Sequence, residues 1–175
     1  MSSTLARTGP VSMKSIVWAG LGAGMVFMLL EMILVPVFMG GSPWGPPRMI
    51  AAILMGREVL PPPGSFDIGI VSVAMIIHFM MSLAYAWVFA VMAKGWTMGK
   101  TVLLGAAFGL LLYVVNFYGF TALFPWFADA RNWISILAHI VFGVVLGWLY
   151  AVCARRAMVT PAAIDVTPSH HGNAS

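Results

Sequence analysis

The sequence predicts an all-α membrane protein, a bundle of four transmembrane helices built from two repeated helical hairpins. Of its 175 residues, 61% are hydrophobic and only 8% are charged, too few charges to cover a soluble globule. Four apolar stretches each exceed the roughly 20 residues that a helix needs to cross a hydrocarbon core of about 30 Å. None alternates polar and apolar residues as the strands of an outer-membrane barrel do. The lipid bilayer is therefore the predicted environment, and a nucleic-acid partner is not expected despite the net charge of +4.

The predicted spans cover residues 15–39, 68–93, 101–127 and 133–154. They belong to a transmembrane domain over residues 15–157, preceded by a cytoplasmic segment at 1–14. Residues 158–175, with Pro161, Pro168 and small polar side chains, are predicted to form a disordered cytoplasmic tail. The first stretch is too long for a signal-peptide core, so it is predicted to stay in the membrane.

Basic residues mark the predicted orientation. Six lie on one side of the spans and three on the other: Arg7, Lys14, Lys94, Lys100, Arg155 and Arg156 against Arg48, Arg57 and Arg131. Because cytoplasmic loops carry the excess of Lys and Arg, both termini are predicted to be cytoplasmic.

The long first loop, residues 40–67, is rich in proline. Between its prolines, residues 48–60 predict a helix that begins just after Pro47. At about 20 Å this helix is too short to span the bilayer and is predicted to lie in the interface. We interpret it as a membrane-surface connector, with a gating lid as the alternative.

The spans carry an internal repeat. The second has His78, Ser82, Ala86, Trp87, Phe89 and Ala90 where the fourth, 61 positions later, has His139, Gly143, Gly147, Trp148, Tyr150 and Ala151. The first and third share the pattern Gly-x3-Gly-x6-polar, as Gly20, Gly24, Glu31 and Gly105, Gly109, Asn116. The repeat predicts two hairpins related by a pseudo-twofold axis along the membrane normal.

Counted from the flanking basic residues, Glu31, His78, Asn116 and His139 all lie about 24 Å from the cytoplasmic edge. They predict one polar layer in the outer half of the bilayer. The small residues of the repeat lie on the same helix faces as this polar layer, on its cytoplasmic side, where they let the helices approach closely. The predicted result is a cavity that opens outward, floored by glycines and walled by the polar layer.

A polar layer inside a membrane bundle suggests a functional site. The first hypothesis is a binding or accessory subunit of a membrane redox complex, with one b-type haem held by His78 and His139 as cofactor-binding residues. A single transition-metal ion bound by His78, His139 and Glu31 is its alternative. The sequence leaves two other classes open. One is a structural subunit whose four polar groups only form hydrogen bonds with one another. The other is a small transport protein that moves protons or solutes along Glu31, the two histidines, Tyr113 and Asn116.

Other membrane subunits or a second copy of the chain are the expected protein partners. The single cysteine, Cys153, excludes an intrachain disulfide framework. No Ser-His-Asp arrangement, phosphate loop or HExxH motif occurs, so no catalytic residue is assigned.

One segment resembles a known group of proteins. The pattern Trp44-Gly45-Pro46-Pro47-Arg48, followed by Ala51-Ala52 and Gly56, is similar to small uncharacterised four-span proteins of bacterial inner membranes. Some of these carry a sodium:proline symporter label. The resemblance covers most of residues 15–155 and implies a location in the bacterial inner membrane, but it implies no functional residues.

Overall fold

The computed structural model describes residues 12–159 and shows an all-α bundle with no β-strand among them. Its five α-helices are α1 (Met13–Met39), α2 (Gly45–Met55), α3 (Ile68–Ala93), α4 (Met98–Val114) and α5 (Trp133–Val159). Helix α4 continues through a π-helical turn, Val115–Gly119, into a 3-10 turn, Phe120–Ala122. Four segments are long and apolar enough to cross a membrane: Met13–Met39, Ile68–Ala93, Met98–Ala122 and Trp133–Arg155. The predicted fold class is confirmed.

Several helix boundaries differ from the sequence prediction: α1 begins at Met13 rather than at residue 15, and α4 begins at Met98 rather than at residue 101. The third span was predicted to reach residue 127, but its helical backbone ends at Ala122. Phe124 is extended, as the residue before a proline usually is, and a separate 3-10 helix, Pro125–Ala130, follows. Helix α5 continues to Val159, whereas the disordered tail was predicted to start at 158. The rest of that tail, residues 160–175, and most of the predicted N-terminal segment, residues 1–11, lie outside the described residues.

The loop helix is also displaced from its prediction. It was expected over residues 48–60, but α2 covers Gly45–Met55, with Pro46 and Pro47 in its first turn, where prolines are tolerated. It ends at Gly56, whose φ of 87° lies in the left-handed region that favours glycine. A 3-10 turn, Arg57–Val59, follows.

The transmembrane helices have the spatial order α3, α1, α5, α4. Helix α1 packs against both α3 and α5, and α5 packs against α4, whereas α3 and α4 meet at few residues. We call the end that holds Met13, the α3–α4 connection and Arg155 the terminal end. The opposite end, which holds α2 and the segment between α4 and α5, is the loop end.

Small residues allow close helix packing in the half of the bundle near the terminal end. A Cβ added to Gly105, Gly109 or Gly143 would overlap backbone atoms of the facing helix, so α4 and α5 touch backbone to backbone. Phe89 fills the centre of this half, with its ring 5.6 Å from that of Phe108 and 6.1 Å from that of Tyr150. The four helices are therefore packed together here and diverge toward the loop end.

Candidate functional site

A cavity of about 1150 Å³ occupies the loop-end half of the bundle. All four transmembrane helices contribute to its wall, and nearly half of the lining residues are Phe, Met, Ile, Leu or Val. Its inner end is formed by Phe27, Leu112 and Phe142. The small residues Gly20, Gly24, Gly105, Gly109, Gly143 and Gly147 are absent from the lining. The prediction of a glycine floor is therefore wrong, because aromatic and leucine side chains cover the glycine-packed half.

Helix α2 lies over the cavity and lines it through Met49, Ile50 and Ile53. Its position is fixed by Arg48, which is only 6% exposed. The guanidinium donates from Nε to the carbonyl of Ser65 and from Nη1 to the carbonyl of Val59, both at 3.0 Å. The indole of Trp126 donates to the carbonyl of Met49 at 3.0 Å. These bonds tie both loops to α2, which covers the cavity as well as connecting α1 to α3.

The cavity also reaches the side of the bundle, between α3 and α4. Ala84 on α3 and Phe120 after α4 both line the cavity and are exposed. Tyr85 spans this gap, because its hydroxyl donates to Oδ1 of Asn116 at 2.7 Å. These exposed lining residues mark a lateral opening of the cavity at this gap.

A chain of hydrogen bonds runs from α3 to α5 across the cavity. His139 is 4% exposed; its Nδ1 donates to the carbonyl of Ser135 at 2.7 Å. With the proton on Nδ1, Nε2 accepts from the amide of Asn116 at 3.2 Å. Asn116 in turn accepts the hydroxyl of Tyr85. Every hydrogen-bonding atom of the His139 ring is thus satisfied by protein.

Asn116 lies in the π-helical turn, a feature that often marks functional sites. Arg131 stabilises this turn: its Nε donates to the carbonyl of Phe117 at 2.7 Å and its Nη2 donates to Thr121 Oγ1 at 3.0 Å. The guanidinium also lies 4.3 Å from the centroid of the Tyr118 ring. These contacts hold Asn116 in the cavity wall.

The second histidine has a different set of neighbours. His78 donates from Nε2 to the carbonyl of Gly24 on α1 at 2.8 Å. The ring of Phe27 contacts both histidines: it is stacked on His78 with centroids 5.5 Å apart and edge-to-face with His139 at 4.8 Å. The two histidines thus meet the same phenyl ring.

Glu31 lies apart from this network. It is 6% exposed and lines the cavity. Its neighbour is Ser135 on α5, one helical turn closer to the loop end than His139. Oε1 of Glu31 and Oγ of Ser135 are both buried without a hydrogen-bond partner. The four polar groups therefore do not form a single hydrogen-bonded layer: Asn116 and His139 are bonded, His78 is bonded to α1, and Glu31, beside Ser135, has one carboxyl oxygen without a partner.

Tyr113, which the sequence grouped with Glu31 and Asn116, is buried beside His139, with ring centroids 5.7 Å apart. It does not line the cavity. Sequence reasoning missed three residues that do matter here, Phe27, Tyr85 and Ser135. Helical spacing was the available signal, because Phe27 is four residues before Glu31, Ser135 four before His139 and Tyr85 seven after His78.

The two histidines do not fit a bis-histidine haem in this arrangement. Both Nε2 atoms have protein partners, and the ring of Phe27 contacts both imidazoles. No group of three or more His, Cys, Asp or Glu side chains suited to a metal ion occurs within residues 12–159. The haem and metal assignments therefore stay predictions without support from the geometry.

In comparisons with known proteins, no protein-family model, no curated protein and no solved structure matches the chain.

Proposed function

We propose that this protein binds a hydrophobic small molecule inside its transmembrane bundle. The observation that carries the proposal is the cavity of about 1150 Å³ enclosed by α1, α3, α4 and α5 and covered by α2. Small-molecule sites are concave, mainly apolar and equipped with a few convergent polar groups. Glu31, Asn116 and Tyr85 are among the polar groups of a mainly apolar wall.

The lateral opening of the cavity between α3 and α4 favours a ligand that partitions into the bilayer. Ala84 and Phe120 place apolar atoms at this lateral opening. A hydrophobic molecule would pass from hydrocarbon to cavity without crossing water, so its apolar surface would stay out of water throughout.

For location, we propose the bacterial inner membrane with both termini in the cytoplasm, on the basis of the distribution of Lys and Arg. The loop end would then face the external side. A cysteine at the exposed position Asp129, in a Cys153→Ala background, should react with an impermeant maleimide added outside whole cells. Labelling only after the cells are opened would contradict this orientation.

Saturable photolabelling tests the binding function. The protein would be reconstituted in lipid nanodiscs and irradiated with a neutral long-chain diazirine probe, with the labelled residues identified by mass spectrometry. Labelling of the cavity residues Ile77 and Met81 should saturate and should be competed by the same molecule without the diazirine. Labelling of Leu103, which is 73% exposed on the outer surface, should not saturate.

Two adjacent methionines provide a matched control. Met81 lines the cavity, whereas Met80 is 66% exposed on the outside of α3. Met81→Trp should fill part of the cavity and weaken saturable labelling by about tenfold or more, equivalent to 1.4 kcal/mol. Met80→Trp should leave it unchanged. Unsaturable labelling of the lining residues, or equal effects of the two substitutions, would overturn the proposal.

The role as a subunit of a redox complex has a separate test. A Soret band in the purified protein, lost in both His78→Ala and His139→Ala, would establish the haem assignment and replace the proposal made here. Protein expressed with added haem and lacking that band would contradict it.

A further inference from the structure

The cavity contains a buried carboxyl group that lies beside Ser135 and has one oxygen without a hydrogen-bond partner. Glu31 projects from α1 into the cavity wall, is 6% exposed, and has an Oε1 atom with no hydrogen-bond partner. A buried polar group without a partner costs free energy, and a buried carboxylate costs more unless an opposite charge is near. Such a group in a native structure therefore calls for a ligand or a proton.

The protein supplies no Lys or Arg for this carboxyl group. The residues that line the cavity include two acids, Glu31 and Asp129, and no Lys or Arg. His139 uses Nδ1 and Nε2 in bonds to Ser135 and Asn116, and His78 directs its Nε2–H to the carbonyl of Gly24. Among residues 12–159, no cation in the cavity lining complements Glu31, so a bound ligand could supply the positive charge.

Aromatic rings surround the same space. Six phenylalanines line the cavity: Phe27, Phe117, Phe120, Phe124, Phe127 and Phe142. The face of an aromatic ring carries negative potential and attracts organic cations, most strongly where water is excluded. Phe27 stands one helical turn before Glu31 on the same face of α1. A cation that pairs with the carboxylate would therefore also meet a phenyl ring.

We propose that the ligand is a hydrophobic organic cation, such as a lipophilic amine or a quaternary ammonium or phosphonium ion, with the Glu31 carboxylate as its counter-ion. This inference rests on the binding function proposed above and names the class of ligand. The hydrophobic body of the cation fills the apolar wall, and its charge compensates Glu31. Asp129, exposed at the loop end of the cavity, adds negative potential near the opening.

A pair of ions of matched size and opposite charge tests the proposal. Tetraphenylphosphonium and tetraphenylborate differ in charge but hardly in shape or apolar area. In nanodiscs of zwitterionic lipid, equilibrium binding should favour tetraphenylphosphonium by about 10- to 100-fold, which corresponds to one charged interaction. Glu31→Gln keeps the shape of the side chain and removes its charge, so it should abolish this preference.

Two further variants separate charge from folding. Glu31→Asp retains the carboxylate one methylene further back and should retain most of the preference. Asp129→Asn removes the other carboxylate of the cavity and should change the preference by less than about threefold, since an exposed charge is screened. Loss of the preference in Asp129→Asn with its retention in Glu31→Gln would overturn the assignment of Glu31.

The neutral photolabelling experiment distinguishes the two proposals. If the neutral probe saturates the cavity but the two ions bind alike, the cation inference fails and the binding function stands. If the neutral probe does not saturate the cavity and neither ion binds saturably, both fail. Cation preference that is lost in Glu31→Gln and kept in Glu31→Asp supports both.

Discussion

The two hairpins, α1 with α3 and α4 with α5, share a pattern of small residues but differ in how closely their helices pack. In the first hairpin, Gly20 and Gly24 face Ser82 and Ala86. In the second, the corresponding glycines of α4 face Gly143 and Gly147. A Cβ on Gly24 would lie 2.6 Å from Oγ of Ser82, whereas a Cβ on Gly143 would overlap the carbonyl of Gly105. The repeat thus fixes how the helices of each hairpin meet, and the second hairpin packs them more closely.

The polar residues of the repeat have diverged further than the small ones. Asn116 in the second hairpin is bonded on one side to His139 and on the other to Tyr85. Its counterpart Glu31 has an unpartnered Oε1. The small residues therefore maintain close helix packing in both hairpins. The identity of one polar residue decides whether its hydrogen-bonding groups find partners within the protein or stay available to a ligand.

Alanine at the closest glycine contact should have the largest effect. In Gly143→Ala the new Cβ would meet the backbone of Gly105 and, at 2.9 Å, the nitrogen of Gly109, so α4 and α5 would have to separate. We expect the free energy of unfolding to fall by about 3 kcal/mol or more, measured by SDS titration in mixed micelles. In Gly20→Ala the Cβ would meet the side chains of Ala86 at 3.0 Å and Leu83 at 3.2 Å, and the fall should be about 1 kcal/mol.

Gly99 is the control for these substitutions. A Cβ there meets nothing within 4 Å, so Gly99→Ala should leave stability unchanged or raise it by about 0.5 kcal/mol. If Gly20→Ala costs as much as Gly143→Ala, the two hairpins are equally tight and the comparison is wrong.

Removal of the polar residue should have opposite consequences in the two hairpins. Asn116→Leu leaves both His139 Nε2 and the hydroxyl of Tyr85 without their partner, so the free energy of unfolding should fall by about 1–2 kcal/mol. Glu31→Leu deletes a group whose Oε1 has no partner and should raise it by about 1 kcal/mol. The same SDS titration measures both. Equal losses would show that Glu31 is satisfied within the protein.

The sequence predicted the helices well because hydropathy and helix length determine them. The positions of proline and glycine predicted a helix in the first loop. Its start at Gly45 depends instead on local and tertiary contacts, which are the hydrogen bond from Trp44 N–H to Ser42 and that from Trp126 to the carbonyl of Met49. No sequence pattern predicted the π-helical turn, because Val115–Gly119 continues the mainly apolar stretch of the third span. It depends on Arg131, which comes from another segment and binds the carbonyl of Phe117.

The site was only partly predictable for a related reason. The repeat identified Asn116 and His139, which do meet, because both lie on faces marked by glycines. It placed Glu31 level with the histidines, although Glu31 lies beside Ser135, because equal spacing from basic residues ignores how far helices shift along one another. Nothing in the spacing indicates that Phe27 contacts both His78 and His139.

Arg131 provides a smaller test, since its support of the π-helical turn exists only in the second hairpin. Arg131→Gln removes the donor to the carbonyl of Phe117 and the contact with the ring of Tyr118. We expect a loss of about 1 kcal/mol and faster amide hydrogen exchange in residues 115–120. Arg57→Gln, in the other loop, should leave exchange in this segment unchanged. Uniform acceleration throughout α4 would instead indicate global destabilisation.

The smallest expected effect concerns the lateral opening between α3 and α4. The repeat counterpart of Tyr85 is Leu146, which is fully buried in the core, whereas Tyr85 uses its hydroxyl to reach Asn116 across the gap. Tyr85→Phe removes one hydrogen bond, which in a membrane protein is worth about 0.6 kcal/mol on average. Stability should therefore fall only slightly, but the bond joins two helices that otherwise meet at few residues. Spin labels at Ala84→Cys and Phe120→Cys, in a Cys153→Ala background, should show a broader distance distribution in Tyr85→Phe. An unchanged distribution would mean that the packing of Phe89 on Phe108 at the terminal end sets the width of the gap by itself.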